Sequence, residues 1–380
     1  MGENPLLKLQ TYGQSIWIDF IERKIIRSGE LKKMIEEDGI SGVTSNPAIF
    51  EEAIGQTDDY NEAIADLAHR GKETREIFET LAIEDIQGAA DLLRPTYDRL
   101  GGKDGFVSLE VNPHLAHDTE GTIAEARRLW AAVARPNIFI KVPGTQEGLP
   151  AIRQLIGEGI NVNVTLLFGL PRYREVTGAY IGGLKDCLTS GKEIRSVASV
   201  ASFFLSRIDV LADPLLEKRM KEGGARTVEA KNLRGKVAIA SAKIAYQIYR
   251  EIFKNGSFRD LASQGAQPQR VLWASTSTKN PEYSDVKYVE PLIGAETVNT
   301  LPLKTIVAYR DHGNPALRLE DNVEESRKTL AKLADLGMDL DQLTQQLEDE
   351  GVEKFNQPYD TLMKTIEKKR AQARLSSSKG

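Results

Sequence analysis

Residues 138–145 read IFIKVPGT and set Lys141 inside an apolar run. Stripping water from an ammonium group is costly, so a lysine in such a place calls for a chemical reason. Burial among Ile138, Phe139, Ile140 and Val142 disfavours the charged form and leaves some of the amine neutral. A neutral amine attacks a carbonyl to form a Schiff base. The protonated Schiff base withdraws electrons, so a carbon–carbon bond one atom away breaks and leaves an enamine. That retro-aldol step needs a base for the substrate hydroxyl, and an acid/base for the water lost and regained at carbon. Asp19 in SIWIDF and Glu110 in FVSLEV offer two carboxylates for those tasks. Asn46, Asn163 and Thr165 offer groups to hold hydroxyls or a catalytic water. The competing reading makes Lys141 a structural ion pair with Asp19 or Glu110.

These residues sit on short β-type runs separated by helical patterns. The runs are 15–20, 42–46, 106–111, 137–143, 160–168, 196–204, 270–276 and a weaker one at 297–302. Between them, apolar residues recur every three to five positions, as in Ile77, Leu81, Ile86, Ala89 and Leu93. Strands alternating with helices imply a parallel sheet. Eight such units over roughly 300 residues match an α/β fold of the (β/α)₈ TIM-barrel type. A doubly wound open sheet is the other architecture, but it needs a glycine-rich phosphate turn after the first strand, and IDFIERK has none. In a barrel, alternate strand residues face the lumen. Ile138, Ile140 and Val142 then point to the helix ring while Phe139 and Lys141 point inward. The same alternation turns Trp17 and Asp19, Phe106, Ser108 and Glu110, and Asn161, Asn163 and Thr165 inward. Polar groups gather toward the C-terminal ends of the strands, where barrels of this class build their sites.

Composition narrows the rest. The 380 residues are 41 % hydrophobic and 28 % charged, with a net charge of −5 whose signs are interspersed; no field argues for nucleic acid. The single cysteine, Cys187, excludes an internal disulfide and fits a reducing, cytoplasmic setting. No apolar run approaches the ~20 residues of a membrane span, MGENPLLKLQ lacks the halves of a signal peptide, and no motif specifies an oligomeric state. The basic KKRAQAR at 368–374, beside the terminal SSSKG, reads as a solvated, frayed helix end. The charged stretch 211–232 reads as a surface excursion. The helical patterns of about 319–375 read as helices packed on the barrel, so that 1–380 forms one domain. His114, His117 and Asp118 in HLAHD have spacing that would suit a metal on a helix, but Pro113 makes a loop the better reading, and neither metal nor other cofactor is expected.

The strings GVTSNPAIF (42–50), SLEVNPHLAHDTEGT (108–122), IFIKVPGTQEG (138–148), INVNVTLLF (160–168) and LWASTSTKNP (272–281) together resemble the transaldolases. The similarity runs in order from about residue 12 to 305, and the C-terminal helices resemble the longer bacterial form of the family. The resemblance implies transfer of a dihydroxyacetone unit from sedoheptulose 7-phosphate to glyceraldehyde 3-phosphate, giving erythrose 4-phosphate and fructose 6-phosphate, within the pentose phosphate pathway. It implies Lys141 as the Schiff-base nucleophile, Glu110 with Thr165 at the catalytic water, and Asp19 as the base at the donor C4 hydroxyl. Asn46, Asn163 and Ser202 would hold the dihydroxyacetone hydroxyls, and Arg207 the phosphate. Where shorter transaldolases carry an arginine after an Ala-Ser pair, ASTSTKN is longer; Ser275 carries over, and Lys279 stands in as a point charge. For Arg207 the competing reading is an exposed ion pair with Asp209 or Asp213. Fructose-6-phosphate aldolases share the barrel and lysine but are shorter, with Gln at the Glu110 position and Tyr near Phe204, so both positions favour transfer. A non-catalytic sugar-phosphate-binding barrel would leave the joint presence of Lys141, Glu110 and Asp19 unexplained.

Overall fold

The computed structural model describes residues 4–224, 226–254, 256 and 258–377. Eight parallel strands close into a barrel in sequence order. They are β1 (Gln14–Asp19), β2 (Ile40–Thr44), β3 (Phe106–Glu110), β4 (Ile138–Pro143), β5 (Val162–Leu167), β6 (Ser199–Phe204), β7 (Arg270–Ala274) and β8 (Thr297–Leu301). All eight runs expected from the sequence are strands, with ends that coincide or shift by at most three residues. Helices ring the barrel, so both faces of the sheet are covered and the strands carry the continuous burial of a parallel sheet.

The barrel interior is layered. Trp17 stacks on Phe139 with ring centroids 6.0 Å apart, and Phe106 stacks on Phe139 at 4.3 Å. These rings fill the middle of the lumen, each contributing roughly 2–3 kcal/mol of burial. Gly42 on β2 makes room for them, because a Cβ there would lie 2.3 Å from the Trp17 ring. Below the rings, the buried Asp104 carboxylate accepts from Trp17 Nε1 (2.8 Å), Ser41 Oγ (3.1 Å), Ser15 Oγ and its neighbour Gly105 N–H (3.0 Å). The aromatic layer separates this polar plug from the C-terminal mouth.

The stretches read as a surface excursion and as C-terminal helices are both helical. All of 211–222 belongs to the crossover helix Ser206–Glu222, and a second helix follows at Arg226–Leu233; Ala212, Asp213, Leu216 and Ala230 are buried. Ala225 within that stretch lies outside the described residues, as do residues 1–3 and 378–380, on which the readings of the two termini partly rest. The C-terminal patterns form a helix at Val323–Asp335 and one continuous helix at Leu340–Ser377.

The basic 368–374 is not a frayed end. Lys369 Nζ donates to the carbonyls of Ile54 (3.1 Å) and Thr57 (3.2 Å), and Arg370, only 7 % exposed, donates to Lys72 O at 2.8 Å. Arg374 reaches Ala68 O at the end of the Asn61–His69 helix. Cations near the last carbonyls of a helix satisfy acceptors that have no partner within it, so the charges fasten this helix to the body of the protein. Among the described residues no helix is long and apolar enough to cross a membrane.

Candidate active site

Strand register delivers the central pair. Glu110 on β3 lies level with Lys141 on β4, which lies level with Asn163 on β5. Lys141 Nζ sits 3.1 Å from Glu110 Oε2 and donates to Ser45 O at 2.8 Å; both side chains of the pair are buried. Among the described residues neither Glu110 oxygen has a well-aligned hydrogen-bond donor, so the contact is an ion pair by distance rather than a directed bond. Desolvation raises the Glu110 carboxyl from its ordinary value, Lys141 pulls it back, and the nearby Asp19 adds to the rise. Burial likewise raises Asp19, opposed by the hydrogen bond from Thr44 Oγ1 to Asp19 Oδ1 (2.6 Å) and by the charges of Lys141 and Lys279. In so dry a setting, moving the shared proton from ammonium to Glu110 replaces two buried charges by two neutral groups. The amine needed for attack on a carbonyl is thereby within one proton transfer.

Nine of the expected site residues line one cavity of about 290 Å³ at the C-terminal mouth. They are Asp19, Asn46, Lys141, Thr165, Ser202, Phe204, Arg207, Ser275 and Lys279. Glu110 touches Lys141 from behind and borders a small apolar recess instead. Asn163 is fully buried under the floor: its Nδ2 donates to Ser108 Oγ (3.0 Å), and Ser202 Oγ donates to its Oδ1 (2.6 Å). Its amide thus orients Ser202, which does face the cavity.

Local backbone features aim several of these groups. Asn46 caps the Pro47–Phe50 helix through Oδ1, which accepts from Ile49 N–H at 3.0 Å. The β5–β6 register shifts between Val164 and Leu167, and Leu166 adopts φ +55°. A left-handed leucine is strained, and it falls directly after Thr165, whose buried Oγ1 has no hydrogen-bond partner among the described residues. Ser275 has φ +53° and its hydroxyl lies 2.9 Å from that of Ser206.

Arg207 is not an ion pair with Asp209 or Asp213. Asp209 accepts from Lys287 Nζ (2.9 Å) and Tyr288 Oη (2.9 Å), and Asp213 accepts from Tyr283 Oη (2.7 Å). Those contacts fasten the β7–β8 connection, which carries Lys279, to the helix that begins beside Arg207. The Arg207 guanidinium is largely buried, its Nη1 has no hydrogen-bond partner among the described residues, and burial lowers it from its ordinary value. Lys279 is lowered too, by burial and then by the charge of Arg207. Two desolvated cations, on which Asp19 and Glu350 act through their charge and not as hydrogen-bonded partners, make a seat for an anion.

His114, His117 and Asp118 do not converge. His114 Nε2 lies 2.8 Å from Asp360 and His117 Nδ1 3.1 Å from Glu147, while Asp118 caps the Thr119–Val133 helix. Among the described residues no cluster of His, Cys, Asp and Glu is placed to hold a metal ion.

The family model described as "Transaldolase/Fructose-6-phosphate aldolase" matches residues 16–366. The chain belongs to that family. It is 49 % identical over 374 residues to Transaldolase 2 of Nostoc sp. (strain PCC 7120), covering 97 % of this chain and 98 % of that protein. The transaldolase of Thiobacillus denitrificans is 50 % identical over 354 residues, covering 93 % and 97 %, and that of Trichodesmium erythraeum is 48 % identical over 373. This family membership agrees with the expected class: an enzyme with the Schiff-base mechanism of the family, acting on sugar phosphates.

Several cavity residues escaped the sequence reading. Thr44 follows the inward parity of Gly42 and was findable by the alternation that placed Asp19. Thr300, 2.7 Å from Thr44 Oγ1 through its own hydroxyl, was not: β8 carries polar residues on both faces, and Thr297 and Asn299 spend their side chains on the carbonyls of Gly294 and Tyr288. Phe355 comes from the Leu340–Ser377 helix and also lines the cavity.

Proposed function

We propose that the chain is a transaldolase in which Lys141 forms the Schiff base, and that it works in the cytoplasm as one barrel with its C-terminal helices. The observation that carries the reading is the buried Lys141–Glu110 pair, with Asp19, Arg207 and Lys279 lining the same cavity as Lys141. Lys141 passes its proton to Glu110 and attacks the C2 carbonyl of sedoheptulose 7-phosphate, whose phosphate rests on Arg207 and Lys279. Glu110 returns the proton as the carbinol oxygen leaves as water, held at Thr165, and an iminium forms. Asp19 takes the C4 hydroxyl proton; the C3–C4 bond breaks, its electron pair flows to the iminium nitrogen, and erythrose 4-phosphate departs. The enamine carbon then attacks the aldehyde of glyceraldehyde 3-phosphate, and the new oxygen takes the proton from Asp19. Water hydrolyses the iminium and releases fructose 6-phosphate. Asn46 and Ser202, with Asn163 behind it, hold the dihydroxyacetone hydroxyls; Ser275 and Phe204 complete the wall toward the phosphate.

Borohydride reduction in the presence of fructose 6-phosphate tests the nucleophile. A dihydroxyacetone-sized adduct is expected on the peptide that contains Lys141, and folded protein without it refutes the mechanism. Release of glyceraldehyde 3-phosphate from fructose 6-phosphate is expected to depend on erythrose 4-phosphate; equal release without the acceptor would assign aldolase activity instead.

A further inference from the structure

The Leu340–Ser377 helix crosses the C-terminal mouth and puts one side chain over the cavity. Phe355 is 4 % exposed, with its ring centroid 5.8 Å from Lys141 Nζ, 5.9 Å from the Arg207 guanidinium carbon and 6.5 Å from the Phe204 ring. One ring thus roofs the stretch between the nucleophile and the anion seat. The helix that carries it is a fixed element. One turn before, Gly351 lets it lie close to the end of β5, where a Cβ would come within 3.0 Å of Leu166 Cδ2. One turn after, Tyr359 meets the Phe78 ring edge-on at 5.7 Å, and Asp360 pairs with His114 at 2.8 Å. Lys369 and Arg370 hold the helix further along through backbone carbonyls.

We propose that Phe355 is a specificity-determining residue that decides what becomes of the enamine on Lys141; this rests on the Schiff-base reading above. The enamine has two fates. It attacks an acceptor aldehyde, or its carbon takes a proton from water to regenerate an iminium. In the second case water then adds to the iminium carbon, and the bond to Lys141 breaks to give free dihydroxyacetone and the amine. A ring that covers the span between Lys141 and Arg207 excludes solvent from that carbon, yet offers a flat apolar surface to the carbon chain of an acceptor whose phosphate sits on Arg207. No polar group of Phe355 takes part, so its effect is on partition between the two fates.

The test uses the full chain with Phe355→Ala and Phe355→Leu. Free dihydroxyacetone formed from fructose 6-phosphate alone is compared with erythrose 4-phosphate-dependent transfer, and deuterium uptake into dihydroxyacetone from heavy water is followed. The ratio of release to transfer is expected to rise about tenfold or more in F355A, and less in F355L. The borohydride adduct on Lys141 is expected to persist in both. A ratio equal to that of the unaltered protein, even with both rates reduced, shows that Phe355 only packs the helix and overturns the inference. If F355A does not fold, F355L carries the same comparison, and an unchanged ratio there overturns it. Absence of the adduct in the unaltered protein is instead the failure of the Schiff-base reading, and the inference falls with it.

Discussion

Replacing Glu110 by Gln separates the two roles a buried lysine–glutamate pair can have. Charges 3.1 Å apart attract by about 5 kcal/mol at an effective dielectric near 20. Desolvating each ion costs several kcal/mol, so the pair is worth little to stability in itself. If its task is to exchange a proton, Glu110→Gln leaves a neutral amide beside an amine that is free to be neutral. The stability loss is then about 1–2 kcal/mol, the scale of one perturbed buried polar contact. If the pair is structural and Lys141 stays charged, an unpaired buried ammonium remains, and the loss is about 3–5 kcal/mol. Activity moves the opposite way. Loss of a positioned acid/base costs about 10²–10⁴ in rate, and here it falls on carbinolamine dehydration, so the adduct trapped by borohydride should accumulate more slowly by a similar factor. Denaturant titration gives the first quantity; a coupled transfer assay and timed trapping give the second. A variant destabilised by 3–5 kcal/mol that still transfers within about threefold of the parent would refute the catalytic assignment of Glu110.

The same buried carboxylates set two expectations with pH. Asp19 and Glu110 are raised above their ordinary 3.8 and 4.5, so the folded protein binds their protons more tightly than the unfolded chain; their contribution favours folding below the ordinary values and is lost as pH rises through the raised ones. For activity, Asp19 must be a carboxylate, so kcat/KM should fall with decreasing pH on a limb above 3.8, and a limb at or below that value counts against Asp19 as the base. Arg207→Gln removes a buried guanidinium with a free Nη1; at about 1.5–3 kcal/mol per charged hydrogen bond, KM for fructose 6-phosphate should rise about 10- to 100-fold. Trapping with unphosphorylated dihydroxyacetone should change far less, and an equal loss with both compounds would exclude a phosphate role. Asp104→Ala strands donors from Ser15, Trp17 and Ser41 at the opposite end of the barrel. It should cost about 3–5 kcal/mol by denaturant titration with kcat retained at 25 °C, and a kcat loss without destabilisation would contradict the separation of the two ends.

What was legible in the chain follows from period and register. A strand displays its residues with a period of two, so the side on which Ile138, Ile140 and Val142 lie decides where Lys141 points. Parallel pairing then fixes neighbours, and Glu110, Lys141 and Asn163 fall level because their strands are adjacent and in step. Nothing comparable places a group that arrives from far along the chain. Phe355 recurs with Leu347, Tyr359, Leu362 and Ile366 at the spacing of an ordinary buried helix face, and that pattern is the same whether the face meets a helix or a substrate cavity. The charges at 369, 370 and 374 escape the sequence for a related reason: beside the Glu73 and Glu367 carboxylates on Arg370, their partners are the carbonyls of Ile54, Thr57, Lys72 and Ala68, and a carbonyl leaves no mark in a sequence. Asn163 shows the finer limit. Alternation turns it inward correctly, but only the distances to Ser108 and Ser202 reveal that its amide is already spent. Inward-facing polarity therefore locates a site, while the division between groups that meet the substrate and groups that hold those groups depends on side-chain hydrogen bonds across strands.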